Sequence, residues 1–300
     1  MESPRVCIVI LNWNGWQDTL ACLESLKKIT YPNYRTILID NGSTDNSLDI
    51  FSSNLDNSIC FFSLKENLGF AKGSNFGTKY ALDNMNPDYV LLLNNDTIVE
   101  PDFLDKIVRK AEATGAGMAQ PLVLRMADHN VIDISGHQLH WGLIVARGAN
   151  ELNKGQYKDS SGLIAVSGAC ALYKAEMIRQ IGMLDEYYTH GHEDTEYGWR
   201  ATKAGWKIAY DPSAVIYHKG QVSGKKMQKI KPGFVNAIYK DAPRACKKYG
   251  TGIQKIQFVI LMGYHGTRSV IGKYLGRHDV GFEPYSVAIR EMLFGTDQVS

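Results

Sequence analysis

Short apolar runs alternate with segments whose apolar positions recur at helical spacing along the first third of the chain. Val6 to Leu11 reads as a strand, Trp16 to Lys28 as a helix that buries Leu20, Leu23 and Leu26, and Tyr31-Pro32-Asn33 as the turn into a second strand at Thr36 to Ile39. Ser43 or Thr44 caps a helix toward Phe51, Ile59 to Leu64 is a third strand, and Ala71 to Leu82 is a helix. Tyr89 to Leu93 is a fourth strand that stops at Asn94-Asn95-Asp96, and Pro101 suits the first turn of the helix that follows. Strands alternating with helices predict an α/β fold with a Rossmann-like, mostly parallel central sheet flanked by helices.

Further along, the pattern loosens. Residues 131–149 (VIDISGHQLHWGLIVARGA) alternate enough for a hairpin or a flap. Leu163 to Val166 reads as a strand, Lys174 to Ile181 as a short helix ended by Gly182, and Glu193 to Lys203 as another helix stopped by Gly205. Trp206 to Tyr210 and Ala214 to Tyr217 are short strands leading to His218. Past Gly224 the spacing turns helical, from Phe234 to Lys248, Ile253 to Tyr274 and Tyr285 to Phe294.

A chain of 300 residues with 44% hydrophobic content can bury a sizeable core, so disorder is not expected. Five cysteines without a CxxC pair or a zinc-like spacing point to free thiols in a reducing compartment. The apolar run in MESPRVCIVILNW is too short for a signal peptide, and no segment approaches the roughly 20 apolar residues of a spanning helix. A cytoplasmic protein is expected, peripheral at the cytoplasmic face of a membrane at most. The net charge of +2 conceals a split: residues 221–300 carry 13 Lys and Arg against 5 Asp and Glu, and residues 1–220 carry 20 against 26. A basic, partly apolar tail suits an anionic membrane surface, or is simply a solvated helical face; no nucleic-acid-binding signature accompanies it.

Three acidic segments change the picture, each expected where a strand ends: LIDNGSTDNS, LLLNNDT and HGHEDTEYGWR, the last of which also opens a helix. Ligands of open α/β sheets bind beyond the carboxyl ends of the strands, so carboxylates delivered there can converge on one site and suggest a metal-assisted reaction on a phosphorylated substrate. Asp40 is placed to accept from a base imide or a ribose hydroxyl, or closes an Asx turn with Asn41-Gly42. Gly69, Gly73 and Gly77 are spaced by four, unlike the dinucleotide fingerprint, and suit close packing of a helix on the sheet, with Asn67 and the Gly69 backbone near a nucleotide. Asp96 can hold a hard cation that bridges phosphate oxygens, and His218 can add an imidazole, which favours Mn2+ over Mg2+. A turn cap and a surface histidine are the plain alternatives. Glu193 and Asp194 fall in the first turn of their helix, where the macrodipole keeps carboxylates ionised. Trp199 packs the core or faces a sugar.

Through CIVILNWNG, ILIDNGSTDNS, ENLGFAKGSNFG, YVLLLNNDT, SGACALYK, IGMLDEYY, GHEDTEYGWRATKAGW and PSAVIYH, in that order over residues 5 to 220, the chain resembles the family 2 inverting glycosyltransferases of GT-A fold, especially their rhamnosyltransferase-like branch. The resemblance implies a GT-A catalytic domain over 1–222, with a nucleotide-sugar half at about 1–100 and an acceptor half at about 101–222, followed by a basic helical extension over 223–300. It implies that Asp40 contacts the base, with Asn12, Asn14, Asp45, Asn67, Gly69 and Asn95 on the nucleotide side. Asp96 matches the last acid of the DxD motif and binds Mn2+ or Mg2+, with His218 completing the metal site. Asp194 matches the catalytic base, Glu193 orients the acceptor or the base, and Trp199 lies on the acceptor side. Asn94 departs from the first DxD aspartate, which lowers metal affinity or makes the dependence partial; Glu196 replaces a frequent aspartate and keeps its charge.

The expected activity is transfer of a sugar from dTDP-rhamnose or a UDP-sugar to a hydroxyl of a glycan or lipid-linked acceptor. A degenerate nucleotide-sugar-binding or scaffolding protein and a nucleotidyltransferase are the alternatives, and oligomeric state stays open.

Overall fold

The computed structural model describes residues 3–188, 191–220, 233–274 and 283–294. Two compact units divide the chain, one of Met1–Gln138, Ala146–Thr189 and Glu193–Gln221, the other of Leu139–Val145, His190–His192 and Val222–Ser300. In chain order up to residue 218 the elements are β1 (Val6–Asn12), α1 (Trp16–Leu26), β2 (Tyr34–Asp40), α2 (Ser47–Asn54), β3 (Ile59–Ser63), α3 (Gly69–Asn84), β4 (Tyr89–Asn94), β5 (Thr97–Val99), α4 (Phe103–Thr114), β6 (Met118–Arg125), β7 (Asp128–Ile134), β8 (His137–His140), β9 (Leu143–Ala146), β10 (Leu163–Ala165), β11 (Cys170–Lys174), α5 (Ala175–Ile181), α6 (Glu193–Lys203) and β12 (Ile208–His218).

The main sheet of the first unit runs β3-β2-β1-β4-β11-β6-β12-β5, with β7 beside β6. The β3-β2-β1-β4 half is parallel. β11 then inserts antiparallel between β4 and β6, β12 runs parallel to β6, and β5 closes the edge antiparallel to β12. Both faces of β1 are covered, which is why it is apolar from Val6 to Leu11 rather than alternating. Val6, Ile8 and Ile10 pack with α1 and α4 through Cys22, Leu23, Leu26, Phe103 and Ile107. Cys7 and Val9 pack on the other face with α3, α5 and α6 through Ala81, Met177, Ile178 and Tyr197. The expected close packing is borne out for two of the four-spaced glycines: a Cβ on Gly77 would stand 2.6 Å from Val9 Cγ1, and one on Gly73 2.6 Å from Leu11 Cδ1.

Several boundaries differ from the sequence expectation. α2 begins at Ser47, and Asp45 serves its first turn by accepting from the Ser47 amide at 3.0 Å. Neither Ser43 nor Thr44 caps it, because the Ser43 hydroxyl is taken by Asp40. The two short strands expected around 206–217 are one strand, β12, with a register break between Asp211 and Val215. β6 and β11 had no clear strand signal, since Gln120-Pro121 interrupts one and the other is a short run opening on small residues. Residues 131–149 supply β8, β9 and most of β7.

The second unit contains α7 (Gly233–Tyr249), α8 (Gly252–Tyr274) and α9 (Glu283–Phe294), which match the three helices expected in the tail. Among the described residues Ala242, Ala245, Cys246, Phe258, Met262, Ala288 and Met292 are buried apolar side chains of this unit. Among the described residues no helix is long and apolar enough to cross a membrane.

Candidate active site

The carboxyl ends of β1 and β2 lie side by side, with Asn12 opposite Asp40. Asn12 Nδ2 donates to Asp40 Oδ1 at 2.8 Å, the Ser43 hydroxyl donates to the same oxygen at 2.5 Å, and the Ser43 amide reaches Asp40 Oδ2 at 3.2 Å. Asn12 Oδ1 accepts from the Thr19 hydroxyl at 2.8 Å, and Asn95 Nδ2 donates to that hydroxyl at 2.9 Å. Asn12 is fully buried and Asp40 nearly so. The Asn12 amide is engaged inside the protein, where it holds two strand ends and α1 together beneath the expected nucleotide rim.

The rim above this cluster is formed by more exposed groups. Asn14, at a positive φ of 53°, accepts on Oδ1 from the Thr44 amide at 2.7 Å and the Asp45 amide at 3.2 Å. Asn67 Oδ1 accepts from the Gly69 amide at 2.8 Å and from Asn41 Nδ2 at 2.9 Å. Gly42, with φ +68°, permits this approach of the two loops, because a Cβ there would stand 2.3 Å from the Glu66 carbonyl carbon. Asn14, Asp45, Asn67 and Gly69 thus lie on one edge built by the β1–α1, β2–α2 and β3–α3 loops, while Asn95 is turned inward to Thr19.

Antiparallel pairing of β5 with β12 sets Thr97 opposite His218, which brings the preceding Asp96 to the histidine. His218 Nε2 lies 3.1 Å from Asp96 Oδ1, and the Lys219 amide donates to the Asp96 carbonyl at 3.0 Å. Burial on its own would lower the His218 pKa; hydrogen bonds and charge from Asp133 and Asp96 outweigh it and push it up to about 9. For Asp96, burial opposes ionisation, but the hydrogen bond and charge of His218, a backbone hydrogen bond and Lys219 together outweigh it, so its pKa falls below the ordinary value. An anionic oxygen and an imidazole nitrogen 3.1 Å apart form a donor set that fits Mn2+ or Mg2+ once the cation displaces the Nε2 proton. Among the described residues no group of three or more His, Cys, Asp or Glu surrounds a common metal position. Two protein ligands supplemented by substrate phosphate is the arrangement this geometry accommodates.

Asp194 belongs to the same sheet edge by a short chain of bonds. The Gly168 amide donates to Asp194 Oδ2 at 2.8 Å, and the adjoining Ala169 carbonyl accepts from the Asn94 amide at 3.1 Å, two residues before Asp96. The Thr195 amide donates to Asp194 Oδ1 at 2.7 Å, as a helix N-terminus favours, and His137 Nε2 lies 3.4 Å from Oδ2. Glu193 is buried beside it. Glu196 is buried in an ion pair with Arg200 at 3.0 Å, and Arg200 donates to the Ile181 and Met183 carbonyls, which ties α6 to the end of α5. Trp199 is only 2% exposed and lies in the core, the packing role that the sequence also allows it.

Sequence reading missed Gly198 and Asp133. A Cβ on Gly198 would stand 2.2 Å from Ala165 Cβ and 2.4 Å from Ala165 Cα, so α6 can seat on β10 only with glycine there. Gly198→Ala should destabilise the protein by about 2 kcal/mol or more, read as a lower urea midpoint, because backbone stands in the way.

Sheet order, an acidic turn after β4 and a carboxylate opening α6 together define a GT-A fold. Residues 7–182 match the Glycosyl transferase family 2 model, and the chain belongs to that family. It is 26% identical over 207 residues to the poly-beta-1,6-N-acetyl-D-glucosamine synthase of Staphylococcus aureus (strain COL), over 67% of this chain and 46% of that protein. The chain thus spans about half the length of the curated relatives it matches. Among solved structures, S. aureus TarS 1-349 superposes with a TM-score of 0.59 at 12% identity, covering 96% of this chain and 81% of that one. GalNAc-T7 with UDP, GalNAc and Mn2+ superposes with a TM-score of 0.58 at 18% identity, covering 72% and 43%.

Proposed function

We propose that the protein is an inverting glycosyltransferase that moves a sugar from a nucleoside-diphosphate sugar to a hydroxyl of a glycan or lipid-linked acceptor. The observation that carries this reading is the Asp96–His218 pair, with Oδ1 and Nε2 3.1 Å apart, on the same sheet edge as Asp194. Residues 1–222 form the catalytic domain, with the nucleotide half at about 1–100 and the acceptor half at about 101–222. Residues 223–300 form a basic extension that meets the cytoplasmic face of a membrane.

The nucleotide lies along the rim of Asn14, Asp45, Asn67 and Gly69, with Asp40 Oδ2 as the acceptor for a base imide or a ribose hydroxyl. Asp194 takes the proton from the acceptor hydroxyl as that oxygen attacks the anomeric carbon, and the bond to the diphosphate breaks in the same displacement, inverting the centre. Glu193 orients the acceptor or the base. Asp96 and His218 would hold a divalent cation, which supplies charge neutralisation for the diphosphate leaving group. dTDP-rhamnose is favoured by the likeness to the rhamnosyltransferase-like branch, and a UDP-sugar by the UDP bound in the GalNAc-T7 neighbour.

The test is a thermal-shift panel of dTDP, UDP, GDP and CDP, each with and without Mn2+, followed by product analysis with the donor selected. The expected result is Mn2+-dependent stabilisation by dTDP or UDP, then a nucleoside diphosphate and a new glycosidic bond. A nucleotide sugar with pyrophosphate would instead assign nucleotidyl transfer. No stabilisation by any nucleotide would reject the catalytic reading in favour of a degenerate binding or scaffolding member.

A further inference from the structure

His218 has a second carboxylate partner. Its Nδ1 lies 2.8 Å from Asp133 Oδ2, on the side of the ring away from Asp96, so the imidazole is clamped between two acids. Asp133 reaches it through an irregularity in β7. Ile134 pairs with Val123 of β6, yet Ile132 pairs with Leu124, the very next residue. Asp133 is therefore an extra residue in the ladder, a bulge of the kind that re-aims a side chain beside a functional site. Its flanking isoleucines are buried, at 1% and 7% exposure, and hold the bulge in the core. Arg125 is the other charged neighbour, but its Nε stands 3.9 Å from Asp133 Oδ1, well beyond hydrogen-bonding distance.

We propose that Asp133 is a positioning residue for the cation site: it accepts the Nδ1–H of His218 and so fixes the tautomer and ring angle that leave the Nε2 lone pair facing the position beside Asp96. This rests on the proposed metal site at Asp96 and His218. An imidazole ligand presents a lone pair on one nitrogen only when the other carries the proton, and a carboxylate on that proton both orients the ring and raises its basicity. Asp133 does so from a strand 85 residues earlier in sequence. Asp96 cannot serve both functions, because its carboxylate occupies the Nε2 side.

Mn2+ titration of the full chain, alone and with saturating UDP, followed by electron paramagnetic resonance, tests this without any activity readout. Asp133→Ala should weaken Mn2+ binding by about 10- to 100-fold. Asp133→Asn should lose less, because its amide oxygen still accepts the Nδ1 proton. In a His218→Ala background, Asp133→Ala should cause no additional loss, and Arg125→Ala should leave Mn2+ affinity unchanged. Wild-type affinity in Asp133→Ala, or an equal loss with and without His218, would overturn the proposal and leave the metal site itself standing. If the wild-type chain binds no Mn2+ under either condition, the metal reading falls and this role of Asp133 with it.

Discussion

Asp194→Asn should lower glycosyl transfer by about 10²- to 10⁴-fold while nucleotide affinity stays at the wild-type value. The substitution is nearly isosteric, and the Gly168 amide that now reaches Oδ2 at 2.8 Å can still donate to the side-chain oxygen of asparagine. Position is preserved and basicity removed. In the proposed function the nucleotide lies on the loops after β1, β2 and β3, separate from the start of α6 that carries Asp194, so calorimetric titration with UDP or dTDP should be unaffected. Glu193→Gln should give a smaller loss that falls mainly on acceptor KM, as a group that orients the acceptor would. If Asp194→Asn turns over at a rate close to wild type, the base is a different group, and His137, 3.4 Å from the same oxygen, is the next to replace.

The parallel half of the sheet was legible because its strands are buried on both faces and stand out as unbroken apolar runs between helical spacings. The close-packing glycines of α3 were legible for a related reason: four-residue spacing keeps them on one helix face. β11 was not, since a short strand inserted antiparallel into such a sheet has neither alternation nor length to mark it. Individual acids were easy to pick out, but their partners were not. Asp96 meets His218 only because β5 pairs with β12 in one register, and no local pattern encodes a pairing across more than a hundred residues. The acid in VIDIS was visible as a charge among isoleucines, yet its significance lies in a bulge that only the ladder with β6 reveals. Trp199 carries a signal that reads two ways. An aromatic near a carboxylate suits a sugar platform or a core, and on α6 it is buried about one turn after the buried Glu196.

Asp96→Ala should abolish the Mn2+-dependent part of nucleotide stabilisation and reduce transfer by about 10³-fold or more, since stabilising charge on a diphosphate leaving group is worth several kcal/mol. Asn94 cannot substitute: it is neutral, and its amide approaches His218 Nε2 only to 3.4 Å. Asp96 is thus the single anionic side chain of the Asn94-Asn95-Asp96 turn, whereas a turn with two aspartates would retain one after such a change. His218→Ala should be milder, because the imidazole is uncharged as a ligand and the carboxylate remains. Asp96→Asn separates charge from shape. It keeps an oxygen near His218, so a fold-maintenance role would leave Asp96→Asn close to wild type in both thermal stability and Mn2+ response. A cation-holding role predicts that Asp96→Asn retains its unfolding temperature without nucleotide but responds to Mn2+ no better than Asp96→Ala. An undiminished Mn2+ response in both variants would place the cation elsewhere and leave the Asp96–His218–Asp133 chain as a structural clasp between the β4–β5 turn, β7 and β12.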